Sequence, residues 1–182
     1  MRTSLCYILL LFFCYSFISC VDDIDFNQAE NLEITPVVAA SLIKADITQN
    51  DLFVGGSEVG TISQTSFFTV LDNATAREDL ERVVLRFEIL NQFNREFRID
   101  FTFLDESDSV THGPITLNVG ANETNFSQEE EIFVANNTLF TSTRKIQVVL
   151  TLPPSTDGSV IDVNTPTSLR FKSAGTFYFR VN

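Results

Sequence analysis

From residue 32 onward the chain is organised by period-two alternation of apolar and polar side chains. Within residues 97–104, Phe97, Ile99, Phe101 and Phe103 alternate with Arg98, Asp100 and Thr102, which gives a strand one buried and one wet face. Residues 83–90 do the same, with Val83, Leu85, Phe87 and Ile89 set against Val84, Arg86 and Glu88. In residues 144–152, Ile146, Val148, Leu150 and Leu152 alternate with Gln147, Val149 and Thr151 until Pro153-Pro154 stops the strand. Residues 169–181 close the chain with Phe177, Phe179 and Val181 inward, and Ala174-Gly175 points to a bulge. Further strands are predicted over residues 37–43, 61–71, 115–119 and 126–134, the first at a sheet edge because Pro36 precedes it. Leu32-Glu33-Ile34-Thr35 alternates ahead of that proline.

Between the strands lie turn signals. Thr48-Gln49-Asn50-Asp51 can cap one helical turn before Leu52-Phe53, and Thr75-Ala76-Arg77-Glu78 reads as a capping box opening a helix over residues 76–82. Val54-Gly55-Gly56 with Gly60, Asp105-Glu106-Ser107-Asp108-Ser109, and residues 120–125 are loops or turns, and a polar loop runs from Pro154 to Pro166.

Residues 83–90 and 97–104 are predicted to pair as an antiparallel hairpin, with charge choosing the register. Facing Phe87 with Ile99 sets Glu88 opposite Arg98 and Arg86 opposite Asp100. A slip of two brings Arg86 to Arg98 and Glu88 to Glu96, which repel. The expected facing pairs are Phe87–Ile99, Leu85–Phe101 and Val83–Phe103. About eight short strands with little helix predict an all-β fold, an immunoglobulin-like antiparallel β-sandwich with one or two short connector helices, over residues 32–182.

The first 19 residues follow another pattern. Arg2 precedes an apolar run beginning at Leu5, and Phe17-Ile18-Ser19-Cys20 ends it. A basic start, an apolar core and a small residue before a cut are the grammar of an export signal, and the run is shorter than the roughly 20 apolar residues of a membrane span. Cys6 and Cys14 leave with such a leader, so Cys20 remains as a thiol with no partner for a disulfide. Phe17-Ile18-Ser19-Cys20 resembles the lipobox of bacterial lipoproteins with a type II signal peptide, with Phe17 where Leu is usual. The resemblance implies that Cys20 carries fatty acyl chains such as palmitate and becomes the mature N-terminus. An ordinary secretory signal that happens to end at a cysteine is the alternative.

Val21-Asp22-Asp23-Ile24-Asp25 resembles the acidic segment after the cysteine in surface lipoproteins of Bacteroidota, and Pro36, Leu42, Ile47-Thr48 and Asp51-Leu52 resemble the start of the folded part in uncharacterised, flavobacterial-type members of that group. This implies an outer-membrane lipid anchor at the cell surface, with residues 1–19 as signal peptide and residues 20–31 as an acidic tether. The same acidic run can equally serve only to keep a tether soluble.

Composition narrows the functional classes. After removal of the leader, 11 basic residues face 24 acidic ones, a formal charge of −13. Nucleic-acid binding, which needs clustered cations, is not expected. The 163 residues left of 182 suit one domain, with a core rich in Phe. They hold no Trp, no Met, one Tyr (Tyr178) and one His (His112). Sugar-stacking platforms draw on Trp and Tyr, and hydrolases and metal sites draw on His and Cys. No enzyme activity, cofactor or metal is therefore expected.

Four features remain as candidate chemistry. Asp105, Glu106 and Asp108 cluster oxygens of the kind Ca²⁺ accepts, without an EF-hand spacing. Glu129-Glu130-Glu131 lies in a strand, so Glu130 points away from its neighbours, as an acid/base pair or as a charged edge guard. His112-Gly113-Pro114 has the composition of a turn, and its histidine has no evident catalytic partner. Asn73, Asn122, Asn125 and Asn136 head glycosylation-type triplets that also fit a plain Asn- and Thr-rich surface. The surface reading is preferred throughout. The chain is thus expected to be a non-catalytic, lipid-anchored accessory or protein-interaction module with an unidentified partner. Its rivals are a glycan-binding lipoprotein of a polysaccharide-uptake system and a hydrolase using two convergent carboxylates.

Overall fold

The computed structural model describes residues 35–155 and 158–180. The leader and tether expected from the sequence, Cys20, the alternation at Leu32, Glu33 and Ile34, and the inward placement expected of Val181 lie outside the described residues.

Strand β1 (Val37–Thr48) runs past its predicted end at Ile43 into a single helical turn, α1 (Gln49–Leu52). The Asp51 carboxylate accepts from the Thr48 backbone N–H at 2.8 Å and from its hydroxyl at 2.7 Å. Those bonds close the turn as expected and hold the Asp51 pKa below the ordinary carboxylate value. Strands β2 (Phe53–Val54) and β3 (Ser57–Glu58) form a minimal hairpin. Its two linking residues, Gly55 and Gly56, sit at φ +64° and +87°, the geometry a two-residue primed turn requires.

Strand β4 (Thr61–Phe67) ends earlier than predicted, where Phe67 is 83% exposed and the next ring, Phe68, only 2%. Helix α2 (Ala74–Asp79) begins two residues before the expected start. Its cap is Asn73, whose Oδ1 accepts from the Thr75 N–H at 2.9 Å, so asparagine outcompetes the threonine as N-cap. The helix stops at Asp79 because Leu80 already belongs to β5 (Leu80–Asn91). The remaining strands are β6 (Phe97–Leu104), β7 (Val110–Val119), β8 (Phe126–Phe133), β9 (Lys145–Thr151) and β10 (Ser168–Phe179).

Eight strands make two four-stranded antiparallel sheets, ordered β1-β10-β5-β8 and β4-β9-β6-β7. The all-β sandwich with short connector helices is present. Within that class the strand order is that of a jelly roll rather than of the four- and three-stranded sheets of an immunoglobulin domain. Among these eight strands only β6 and β7 are sheet neighbours joined directly; every other connection passes to the opposite sheet.

The predicted hairpin is therefore incorrect. β5 and β6 lie in different sheets: Phe87 is opposite Ser173 and Gln128, and Ile99 is opposite Leu117 and Leu150. Residues 92–96 form an arch instead of a turn. Asn91, fully buried, pins that arch by donating from Nδ2 to the carbonyls of Arg95 (2.8 Å) and Gly120 (2.7 Å) and by accepting the Phe93 N–H (2.9 Å). The two alternating apolar faces point inward as predicted, but they meet across the core: the Phe87 and Phe101 ring centroids are 4.8 Å apart, and Phe101 and Phe171 5.0 Å. Each such ring contributes about 1.5–3 kcal/mol by leaving water.

The expected bulge is also displaced. The extra residue is Leu42 on β1, where pairing moves from Ser41–Ala174 to Ile43–Ser173, and Ser173 Oγ accepts the Ile43 N–H at 3.1 Å. Gly175 serves close packing, since a Cβ there would lie 2.7 Å from the Phe177 ring. No helix among the described residues is long and apolar enough to cross a membrane.

Candidate functional site

The outward face of the β1-β10-β5-β8 sheet follows directly from strand parity. Residues that alternate with the buried Leu169, Phe171, Ser173, Gly175 and Phe177 are Arg170, Lys172, Ala174, Thr176 and Tyr178. The registers stack them into rows across the strands: Lys44–Lys172–Glu88–Ser127, Ser41–Ala174–Arg86–Glu129, and Ala39–Thr176–Val84–Glu131. Small side chains at Ala39, Ser41, Ala174 and Thr176 leave the middle of the face low, with charged groups above and below.

One end of this face is internally neutralised. Arg82 donates to Glu131 at 2.6 Å and its guanidinium sits 3.8 Å from the centre of the Tyr178 ring, and Arg86 holds Glu129 at 2.7 Å. The Tyr178 ring is thus already covered by an arginine.

The other end is different. An open groove of about 580 Å³ runs beside Lys44, Asp46, Glu88, Phe126, Arg170 and Lys172. Lys44 faces Lys172 directly across the strands, an arrangement of like charges that is unfavourable in a sheet. Neither lysine has a hydrogen bond or ion pair among the described residues, and Arg170 approaches Asp46 only to 3.9 Å.

Every other lysine or arginine among the described residues holds a carboxylate or carbonyl oxygen within 3.1 Å. Arg77 caps the Leu71 and Asp72 carbonyls, Arg144 bonds the Thr143 carbonyl, Lys145 bonds Asp108, Arg98 pairs with Asp100 and Arg180 with Glu81. Arg95 is the most enclosed, donating to Glu58 (2.8 Å), the Pro153 carbonyl (2.6 Å) and the Ser159 carbonyl (3.1 Å). The three loosely held cations are neighbours in one groove.

The sequence candidates fall elsewhere. In the Asp105 loop, Asp105 Oδ1 accepts the Ser107 and Ser109 N–H groups, and the Lys145 ammonium bridges Asp108 and the Glu106 carbonyl at 2.7 and 3.0 Å. A side-chain cation thus already serves those oxygens, and among the described residues no three His, Cys, Asp or Glu side chains converge as metal ligands.

Glu129 and Glu131 point outward to Arg86 and Arg82, while Glu130 points the other way, as expected from the alternation. His112 is not in a turn: it lies within β7, between the rings of Phe103 and Phe140, and its Nδ1 accepts from Asn137 Nδ2 at 2.8 Å. That bond leaves the proton of the neutral ring on Nε2. Burial pushes the pKa of His112 below its ordinary value, against an opposing pull from Glu130. Asn73 caps α2, and Asn122, at φ +56°, bonds Asn94. An apolar cavity of about 50 Å³ between β1 and β4, lined by Ala45, Ile62 and Leu150 among others, is too small for an ordinary ligand and belongs to the core.

The lysine groove has no motif in the sequence. Its only trace is that Lys44, Arg170 and Lys172 occupy outward positions of two strands, and their adjacency depends on β1 pairing with β10, 130 residues apart along the chain at the Ile43–Ser173 bond.

No protein-family profile matches the chain, and no curated protein is significantly similar to it. Three solved structures illustrate its likeness in fold. A Parabacteroides distasonis protein, described provisionally as secreted, is 14% identical at a TM-score of 0.47, over 64% of this chain and 38% of its own. The infectious bursal disease virus VP2 subviral particle is 11% identical at 0.44, over 80% of this chain and 33% of that one. The Tobacco streak virus coat protein is 7% identical at 0.38, over 81% and 87%. The chain thus spans about two fifths and one third of the first two. Likenesses this distant carry no information about function.

Proposed function

We propose that the chain is a non-catalytic interaction module, held at the outer membrane by acyl chains on Cys20 and contacting its partner through the outward face of the β1-β10-β5-β8 sheet. The observation that carries the contact face is the gathering of Lys44, Arg170 and Lys172 beside one groove, with no comparably close partners, in a chain of formal charge −12. Cations that the fold does not use are available to a ligand. Support for the anchor is the leader ending at Cys20, followed by Asp22, Asp23 and Asp25.

A saccharide ligand is the second reading, favoured by Thr124, Asn125 and Ser127 along the same groove. The stacking of Arg82 over Tyr178 counts against it, because that ring is already occupied.

Acyl labelling and cross-linked capture from intact cells test the two halves of the proposal. The wild-type chain should take up label and Cys20→Ala should not; an unlabelled wild type overturns the anchor. Ala174→Trp, which raises the low middle of the face, should abolish capture of the envelope partner. Undiminished capture by that variant overturns the contact face.

A further inference from the structure

We infer that the groove between Lys44, Lys172 and Arg170 takes an acidic peptide segment of a partner protein, one that sets neighbouring carboxylates beside an apolar side chain. This rests on the sheet face being the contact surface and adds the chemistry of what it contacts.

Complementarity is the ground for it. Lys44 and Lys172 are held opposite one another by the β1–β10 register, with Cβ atoms roughly 5 Å apart. Two ammonium groups so placed repel, and an anion lying between them relieves that repulsion. One carboxylate can bridge both, and a second can reach Arg170, which lies two residues along β10 on the same face and meets Asp46 only at 3.9 Å. The apolar part of the ligand has its own place, since Leu90, set opposite Arg170 on the outward face, lines the same groove and is only partly buried. Cations with an apolar side chain beside them match an acidic–apolar peptide better than a bare polyanion, which has nothing to place there. Glu88 stands beside Lys172 in the same row and opposes an incoming carboxylate, so it sets the selectivity: the ligand must offer apolar contact as well as charge.

The mature acylated chain in non-ionic detergent is titrated with a fluorescent peptide of alternating glutamate and leucine, with its glutamine–leucine counterpart, and with polygalacturonate. The glutamate–leucine peptide should bind, more weakly as salt rises, and the other two should not. Lys44→Glu with Lys172→Glu should weaken it roughly tenfold or more, and Glu88→Gln should tighten it by about two- to fivefold. All three positions are exposed, so unchanged thermal unfolding verifies that the variants fold.

Absence of binding, binding indifferent to the lysine reversals, or equal affinity for polygalacturonate overturns the inference. Failure here is separable from failure of the contact face. If Ala174→Trp abolishes capture from cells while the lysine reversals do not, the face stands and the acidic ligand falls.

Discussion

Arg95 and Lys172 carry the same charge, and the fold treats them in opposite ways. Arg95 is 9% exposed and tied to Glu58 and to the carbonyls of Pro153 and Ser159. Glu58 in turn accepts the Ile161 N–H at 2.7 Å, so one ion pair clamps β3, the arch after β5 and the loop before β10. Lys172 stands on the open sheet face opposite another lysine and has no partner among the described residues. Removing a partly buried cation with fixed partners strands every one of them. Removing an exposed, unpaired one strands nothing. The contrast separates cations that hold this sandwich together from cations left over for something else.

The largest effect should come at the clamp. Arg95→Ala leaves Glu58 and two carbonyls without their donor and should lower unfolding stability by about 3 kcal/mol, read by denaturant titration. A loss under about 1 kcal/mol would place Arg95 with the surface cations and erase the contrast. Asn91→Ala should follow at about 2 kcal/mol, because the Arg95 and Gly120 carbonyls and the Phe93 N–H lose their buried partner.

His112 supplies a version of the same contrast that depends on pH. Its pKa is pushed below 6.5 by burial, so through that window the folded chain binds fewer protons than the unfolded one. Its contribution is fully present above pH 6.5 and is lost as pH falls through the depressed value. His112→Gln should flatten that part of the pH–stability curve; an unchanged curve would show that the ring is not held neutral. The smallest effect belongs to the groove: Lys44→Ala should change stability by no more than about 0.5 kcal/mol, with a slight gain because one of two repelling charges is gone.

Much of the sandwich was legible in the alternation of single strands, and little of the site was. Period two states which residues of a strand face inward, and it did so correctly for Phe97, Ile99, Phe101 and Phe103 and for Phe177 and Phe179. It is silent on which strand lies alongside. For residues 83–90 and 97–104 charge predicts a shared hairpin, yet Arg86 finds its carboxylate at Glu129, 43 residues further along the chain in β8. A signal against the hairpin was present. Residues 92–96 contain no glycine, whereas the true two-residue hairpin is built on Gly55-Gly56. The lysine groove was hidden for the same reason. Lys44 and Lys172 are unremarkable apart, and become a pair only once the first and last strands of the fold are placed side by side.

The central claim is that the cations of this groove serve binding and not folding, and one paired measurement reaches it directly. Unfolding free energy and cross-linked capture of the proposed partner are measured on the same preparations of wild type and of Lys44→Glu with Lys172→Glu. Stability within about 0.5 kcal/mol of wild type together with lost capture is the predicted result. Capture retained at full strength, or lost only because the chain has become unstable, would contradict it.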